Sequence, residues 1–185
     1  GVNLPQGKNL IGSFYQPEGV LIDPAVLASL PQADLIAGLA EVLKYGVICD
    51  PELWAYLGVQ REKIVNLSRD ELEHILAVSC KIKAEVVSED EKEGGRRMIL
   101  NYGHTIGHAL EATEGYGHFR HGEAVAIGMV AAAMLSEKMG LASGDLVGEH
   151  RKLISEYGLP VGCEVRNPDQ VLSVMYKDKK ALRGR

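Results

Sequence analysis

Helix signals follow one another along this chain with almost no interruption after Pro24. Asp50-Pro51-Glu52 combines an N-cap aspartate with a proline at the first helical position, which is typical of a helix start. In "SEYGLP", Gly158 ends a helix and Pro160 lies just beyond it. Between such signals the apolar residues recur with a helical period. The sequence therefore predicts helices near 25–30, 33–48, 51–58, 69–92, 103–114, 122–140, 144–157 and 168–176.

The N-terminal residues carry a different pattern. Residues 1–18 are rich in Gly, Pro and Asn, which predicts irregular structure. The apolar run "GVLID" at 19–23 is ended by Pro24 and predicts a short strand. We therefore expect a mainly α fold with a short strand-bearing N-terminal segment, divided into residues 1–24 and a helical domain over 25–185.

Composition excludes two classes of partner. A formal net charge of −5 argues against nucleic acid, because backbone phosphates require a basic face. No segment approaches the roughly 20 apolar residues that span a bilayer, and "AVAIGMVAAAML" at 124–135 is instead predicted to be a tightly packed buried helix. Three cysteines without a CxxC pair predict free thiols in a reducing compartment.

One lysine of the long helix points toward its apolar face. At 100° per residue Lys83 falls near the middle of the stripe formed by Leu72, Ile75, Leu76, Ile82, Val86 and Val87. A lysine directed at the core costs desolvation free energy unless it is paired. A snorkelling stem, a structural ion pair and a lysine that faces an anionic ligand are all compatible with this position.

Histidines are concentrated in "LNYGHTIGHALEATEGYGHFRHGEAVAIGM", which holds four of the chain's six. His104, His108 and Glu111 share one helix face, and an i, i+4 histidine pair can bind one metal ion. The likeness to HExxH is superficial, because Thr105 occupies the position of the metalloprotease base. A structural histidine pair remains an alternative, whereas His121 would offer a third ligand a short loop further on.

Glu41 and Lys44 are three residues apart in "GLAEVLKYG". They lie opposite the apolar face of their helix, which is formed by Leu35, Leu39, Val42 and Leu43. Helical periodicity alone therefore predicts an ordinary surface ion pair with little effect on stability.

Several blocks of the sequence resemble those of the 3-dehydroquinate synthase family. They are "GVNLPQGKNLIGSFYQP", "GLAEVLKYG", "EDEKEGGRRMILNYGHTIGHALE", "HGEAVAIGM" and the terminal "DKK". Because the blocks occur in the family's order from end to end, the resemblance covers the whole chain.

The resemblance implies a cytoplasmic homodimeric enzyme of the shikimate pathway. Such an enzyme converts 3-deoxy-D-arabino-heptulosonate 7-phosphate to 3-dehydroquinate and phosphate, with NAD and a divalent metal, zinc or cobalt. The family joins an N-terminal Rossmann-like NAD domain to a helical metal- and substrate-binding domain. We therefore expect residues 1–24 to be the edge of the NAD domain, most of which is missing, and the chain to be inactive alone.

The resemblance also assigns roles to residues. It implies metal ligation by Glu41, His104 and His121, and acid/base roles for His108 and Glu93. It further implies substrate contacts from Asn9, Lys44, Lys83, Arg97, Asn101 and either Lys179 or Lys180, and cofactor contacts from Lys8 and Ser29. The basic members of this set suit a carboxylate-bearing phosphate ester.

Three alternatives remain at this point. Two are relatives that use the same scaffold: a different sugar-phosphate cyclase, and a polyol dehydrogenase of the glycerol dehydrogenase type, which resembles this chain in the spaced histidines. The block "EGGRRMILNYGHTIGH", with Lys83 and Arg97, favours the synthase over both. A non-catalytic helical module with a structural metal would need a site closed by four protein ligands, and the sequence offers three strong candidates.

Overall fold

The computed structural model describes every residue except 1, 5–6, 14, 16, 92–94, 116–117, 143 and 178–185. For residues 3–4, 7–10 and 177 it describes the backbone alone. The regular structure within the described residues is mainly helical, as the sequence predicts.

The described residues form eight α-helices, in chain order: α1 Gln32–Ile48, α2 Pro51–Val59, α3 Arg61–Val65, α4 Arg69–Glu89, α5 His104–Thr113, α6 His121–Lys138, α7 Leu146–Glu156 and α8 Pro168–Lys177. Two 3-10 helices span Pro24–Ser29 and Arg96–Asn101. The predicted helices are therefore confirmed, with the first of them a 3-10 helix. The prediction missed α3 and the second 3-10 helix, because elements of five or six residues are too short to show a period.

The signals at helix ends act as predicted. The Asp50 carboxylate accepts a hydrogen bond from the backbone N–H of Leu53 at 2.9 Å, with Pro51 as the first helical residue. Gly158 follows α7 with a φ of 78°, in the left-handed region that glycine enters without strain. These two signals fix where α2 begins and where the chain turns after α7.

The predicted strand at 19–23 is wrong. These residues form no regular structure, and the side chains of Val20 and Leu21 are 75% and 97% exposed. An apolar run becomes a strand only where a partner strand is available, and none of the described residues pairs with this one. The strands instead lie earlier, where β1 Val2–Leu4 and β2 Gly7–Ile11 form an antiparallel hairpin inside the segment predicted to be irregular.

Two apolar clusters form the core. The larger one joins α1, α2, α4, α6 and α7, and its fully buried side chains include Leu43, Leu57, Ile75, Met129 and Ile154. The smaller one lies between α5, α6 and α8 around Leu110, Ile127 and Val171. The prediction of a buried helix at 124–135 is confirmed for 124–130, where every residue is buried, but Met134 and Leu135 are 48% and 53% exposed.

Two glycines of α6 bring three helices into close contact. A Cβ on Gly122 would overlap the carbonyl oxygen of Ala37 in α1, and a Cβ on Gly128 would overlap the carbonyl oxygen of Gly103. Gly103 has a φ of 78° and immediately precedes α5. The backbone of α6 therefore packs directly against α1, one turn before Glu41, and against the residue before His104. This close approach brings the side chains of the three helices together.

Candidate metal centre and active site

Three side chains from separate helices meet where α1, α5 and α6 pack together. Oε1 of Glu41 lies 3.3 Å from Nε2 of His104 and 3.8 Å from Nε2 of His121. Glu41 comes from the middle of α1, His104 is the first residue of α5 and His121 is the first residue of α6. The structure thus brings together the three residues that the resemblance implies as metal ligands.

Both imidazoles direct Nε2 toward Glu41 because their other ring nitrogens have partners elsewhere. Nδ1 of His104 lies 3.2 Å from the carbonyl oxygen of Tyr102, and Nδ1 of His121 lies 3.2 Å from Oε2 of Glu111. A carbonyl or carboxylate oxygen accepts hydrogen bonds, so these contacts favour a proton on each Nδ1. In a neutral ring of that tautomer, Nε2 presents the lone pair that a metal ligand requires.

The Glu41 carboxylate is ionised and incompletely satisfied. Its Oε1 is buried without a hydrogen-bond partner among the described residues, although its Oε2 accepts from Nζ of Lys44 at 2.5 Å. Burial raises the pKa of Glu41, but contacts with His104 and Lys44 outweigh burial and hold the pKa at about 2. A buried carboxylate oxygen without a partner is costly, and a bound cation would remove that cost.

Lys44 is not the surface residue that helical periodicity predicts. Its side chain is 3% exposed, against 35% for Glu41. The reason is that α1 is buried over a wide arc: Ala37 and Ala40 extend the apolar face round the helix toward Lys44. The pair is therefore a partly buried ion pair within the cluster rather than a solvated one.

His108 also reaches the cluster. Potential ligand atoms of His104, His108 and His121 all lie within 4.8 Å of one another. The His108 ring lies edge-on to His104, with ring centroids 5.3 Å apart, and stacks on His121 at 5.7 Å. The geometry alone therefore fits two sets of three ligands, one that contains Glu41 and one that contains His108.

The donor set fits a divalent metal. It combines imidazole nitrogens with a carboxylate oxygen, the ligand types found in catalytic zinc sites. His121 is 45% exposed, so the cluster opens to solvent on its side. The orphaned Oε1 of Glu41 lies among the ring nitrogens that would share the ion.

The structure corrects the orientation predicted for Lys83. Lys83 is exposed and forms no ion pair with any residue that the structure describes. The buried face of α4 is centred on Ile75, Ile82 and Val86, whereas Leu76 and Val87 at one edge of the predicted stripe are only half-buried. Lys83 lies toward that edge, so its side chain reaches water. A substrate contact from Lys83 stays a prediction.

Arg97 and Asn101 lie in the 3-10 helix that leads into α5. The Asp90 carboxylate at the end of α4 accepts hydrogen bonds from the backbone N–H groups of Gly95 and Arg97, at 2.7 and 3.0 Å. The Arg97 guanidinium donates to the carbonyl oxygen of Glu91 at 2.7 Å. This segment is thus tied to the end of α4, while the substrate contacts implied for Arg97 and Asn101 stay predictions.

The remaining predicted residues are not brought to the cluster by any described contact. Ser29 is exposed in the first 3-10 helix, where its hydroxyl donates to the carbonyl oxygen of Val26. Glu93, Lys179 and Lys180 lie outside the described residues, as do the side chains of Lys8 and Asn9. Their implied roles stay predictions.

Sequence reasoning missed three features that shape the cluster. The close contacts of Gly122 and Gly128 leave no periodic signal, because a glycine in a helix also occurs without such a contact. The bond from His104 to Tyr102 depends on the backbone rather than on residue type. Glu111 was placed on the face shared with His104 and His108, but its contact with His121 depends on how α5 and α6 pack.

Comparison with known proteins agrees with the resemblance. Residues 38–181 match the family described as 3-dehydroquinate synthase C-terminal, and residues 1–37 match the one described as 3-dehydroquinate synthase N-terminal. The chain belongs to the 3-dehydroquinate synthase family. The boundary between the two matches falls inside α1, and the predicted division at residue 24 stays a prediction.

Curated family members are similar over the whole chain. The 3-dehydroquinate synthase of Geobacter metallireducens is 50% identical over 98% of this chain and 50% of its own length. The synthases of Desulforamulus reducens and Thermodesulfovibrio yellowstonii are 48% and 47% identical over all of this chain, and each is covered over 52% of its length. The chain thus spans about half the length of the curated relatives it matches.

Solved structures of two cyclases share the fold. The 2-epi-5-epi-valiolone synthase ValA from Streptomyces hygroscopicus subsp. jinggangensis 5008, with NAD+ and Zn2+ bound, has a TM-score of 0.84 at 27% identity. The match covers 96% of this chain and 49% of the ValA chain. A 2-deoxy-scyllo-inosose synthase complexed with carbaglucose-6-phosphate, NAD+ and Co2+ has a TM-score of 0.71 at 31% identity, with 97% and 50% of the two chains covered. The mainly α fold is therefore confirmed as that of a sugar-phosphate cyclase's helical half.

Within the described residues, no helix combines the length and the apolar character needed to cross a bilayer.

Proposed function

We propose that the full-length protein is a 3-dehydroquinate synthase, a phosphate-eliminating lyase that uses NAD and a divalent metal. Its reaction converts 3-deoxy-D-arabino-heptulosonate 7-phosphate to 3-dehydroquinate and phosphate. The observation that carries the proposal is the meeting of Glu41, His104 and His121 in a chain 47–50% identical to curated 3-dehydroquinate synthases. Because this chain spans about half of those relatives, the proposal concerns the whole protein.

In this proposal the metal is held by Glu41, His104 and His121, and His108 serves the substrate. A divalent ion in this position supplies a Lewis acid for substrate hydroxyl groups. One carboxylate and two imidazoles leave coordination positions open, as catalysis requires. His108, one helical turn from His104 and with its ring against both His104 and His121, would then move a proton to or from the substrate.

Lys44 would have two roles in this arrangement. Its ammonium neutralises part of the negative charge of Glu41, which keeps the carboxylate ionised and able to bind a cation. Its positive charge within the cluster also suits contact with an anionic substrate. Arg97 and Lys83 would add positive charge for the phosphate where the substrate of the full-length protein lies against them.

The N-terminal half of the full-length protein is the partner proposed for the exposed apolar residues before α1. Large side chains with more than half of their surface exposed are concentrated there, at Val2, Ile11, Tyr15, Val20, Leu21 and Val26. Burial of such side chains stabilises an interface by roughly 25 cal/mol per Å² of apolar surface. We propose that this segment packs against the NAD-binding half, and that the full-length enzyme is a cytoplasmic homodimer.

Two alternatives make different predictions. Another cyclase activity is favoured by the folds of ValA and the inosose synthase, but these are only 27% and 31% identical to this chain. A closed structural metal site is favoured by the proximity of His108, which would complete a set of four ligands. The exposure of His121 argues against a closed site, because structural zinc sites are surrounded by protein ligands.

The proposal is tested by substrate-dependent phosphate release from the purified full-length protein. We expect release from 3-deoxy-D-arabino-heptulosonate 7-phosphate in the presence of NAD and zinc or cobalt, and none after metal removal. Glu41→Gln should abolish it, while Glu52→Gln, at an exposed position of α2, should leave it unchanged. Release from glucose 6-phosphate alone would instead indicate an inosose synthase-like activity, and no release from either substrate would contradict both.

A further inference from the structure

The two histidines proposed as metal ligands, His104 and His121, are held in different ways. Nδ1 of His104 lies within hydrogen-bond distance of the carbonyl oxygen of Tyr102, and the His104 side chain is only 12% exposed. His121 begins α6, and its side chain is 45% exposed. Packing therefore restrains the ring of His104 far more than the ring of His121. The orientation of His121 depends on its polar contacts.

The polar contact on Nδ1 of His121 is a buried carboxylate. Oε2 of Glu111 lies 3.2 Å from this nitrogen, and the Glu111 side chain is only 10% exposed. Glu111 occupies α5 two turns after His104, on the face that packs against α6. Burying a carboxylate costs desolvation free energy, which a neutral side chain would not incur to the same extent. The contact with the imidazole N–H of His121 offsets part of that cost.

The contact has a chemical consequence for the opposite nitrogen. A carboxylate accepts a hydrogen bond from a ring N–H group and so favours the tautomer with hydrogen on Nδ1. Nε2 then carries the lone pair that faces Oε1 of Glu41 across 3.8 Å. The negative charge of the carboxylate also makes Nε2 a stronger donor to a metal.

We infer that Glu111 is a positioning residue that holds His121 in the Nδ1–H tautomer, and that the metal affinity of the cluster depends on it. This inference rests on the proposed function, in which His121 ligates a divalent ion. In this inference Glu111 is not itself a metal ligand. It acts through His121, in the way that carboxylates behind metal-bound histidines do in other metalloenzymes.

The first test needs no metal. In the metal-free full-length protein, labelled with 15N at histidine, long-range 1H–15N correlations report which ring nitrogen of His121 carries the proton. We expect Nδ1–H in the wild type and a shift toward Nε2–H, the form favoured by a histidine free in water, in Glu111→Ala. A wild-type Nε2–H tautomer, or an unchanged tautomer in the variant, would overturn the inference whatever the activity proves to be.

The second test measures zinc affinity by competition with a chromophoric chelator. We expect Glu111→Ala to weaken binding by about 10–100-fold. Glu114→Gln is the matched control, because Glu114 also has a buried carboxylate, 7% exposed, but lies 3.8 Å from Arg166 rather than beside a histidine. The control should keep wild-type affinity.

A second variant distinguishes the loss of the Glu111 contact from a general loss of folding. If Glu111→Ala does not fold, Glu111→Gln keeps the shape and removes the charge, and its affinity should fall while its melting temperature stays near that of Glu114→Gln. Wild-type zinc affinity in a folded Glu111 variant would overturn the inference. Absence of zinc binding in the wild type would instead contradict the proposed function and leave the tautomer measurement to decide on Glu111.

Discussion

Oε1 of Glu41 lies 3.3 Å from Nε2 of His104, yet no hydrogen bond of the described residues satisfies that carboxylate oxygen. When the His104 ring is neutral and carries its proton on Nδ1, toward the Tyr102 carbonyl oxygen, the lone pair on Nε2 faces the lone pairs of Glu41. Two acceptors brought this close in a partly buried place repel each other unless a cation lies between them. This relationship is the strongest physical argument for a metal at the cluster.

The first prediction concerns the close approach of α6 to α1. Gly122→Ala places a methyl group against the backbone of Ala37, which cannot move as a flexible side chain would. We expect the free energy of unfolding to fall by about 1–3 kcal/mol or more, and zinc affinity to fall with it because Glu41 and His121 move apart. Urea denaturation and zinc titration measure the two effects.

Gly38→Ala in α1 is the matched control. A Cβ at Gly38 meets nothing within 4 Å, and the position is exposed. This variant should gain about 0.5–1 kcal/mol from the higher helix propensity of alanine. Equal stability of the two variants would contradict the close packing of α6 against α1.

The second prediction concerns the pH dependence of stability. Burial lowers the pKa of His150 below its ordinary value of 6.5, against the opposing effects of its bond to Leu146 and of Glu149 and Glu137. The unfolded state then takes up a proton first as pH falls, so the free energy of unfolding should decline below pH 6.5 until the folded-state pKa is reached. The slope per histidine is at most about 1.4 kcal/mol per pH unit.

Two variants test this pH effect. His150→Gln should remove part of the decline below pH 6.5, although it also loses the contact of Nε2 with the Tyr102 hydroxyl. Gly38→Ala, which changes no titratable group, should leave the slope as in the wild type. A slope that is the same in all three proteins would show that His150 titrates normally.

The third prediction concerns the chain of 185 residues by itself. It spans about half the length of its curated relatives and exposes many large apolar side chains before α1. We expect it to show no NAD-dependent phosphate release and no appreciable NAD affinity, while the full-length protein shows both. Turnover by the isolated chain would contradict the role proposed for the N-terminal half.

The helices were predictable because their signals are local. Asp50 and Pro51 mark the start of α2, and Gly158 marks the turn after α7, whatever the rest of the chain does. The strand predicted at 19–23 failed for the opposite reason. A strand needs a partner, and a short apolar run gives no information about one.

The candidate site was only partly predictable from periodicity. The pair His104 and His108 shares a helix face by spacing alone, whereas Glu41 joins them through the packing of α1 on α6. Helical periodicity therefore placed Glu41 and Lys44 in water, and only the resemblance to the synthase family pointed to them. Lys83 shows the opposite error, because periodicity directed it at the core and the structure exposes it. A helical-wheel analysis weights every apolar residue equally, whereas only part of the apolar stripe on α4 is buried.

The central claim is that Glu41, His104 and His121 hold the metal and that His108 does not. Alanine variants of the three histidines in the full-length protein separate these roles. Loss of a ligand removes one of three protein donors, so His104→Ala and His121→Ala should lose metal and activity together. His108→Ala should keep its metal and lose turnover by about 10²–10⁴-fold, as expected for a removed general acid or base.

Elemental analysis of the purified variants, with Glu52→Gln as a control, is the measurement that tests this claim most directly. Near-normal metal in His108→Ala, beside depleted metal in Glu41→Gln, His104→Ala and His121→Ala, is the result we predict. Depleted metal in His108→Ala, together with retained metal in Glu41→Gln, would contradict the account and assign the site to the three histidines instead.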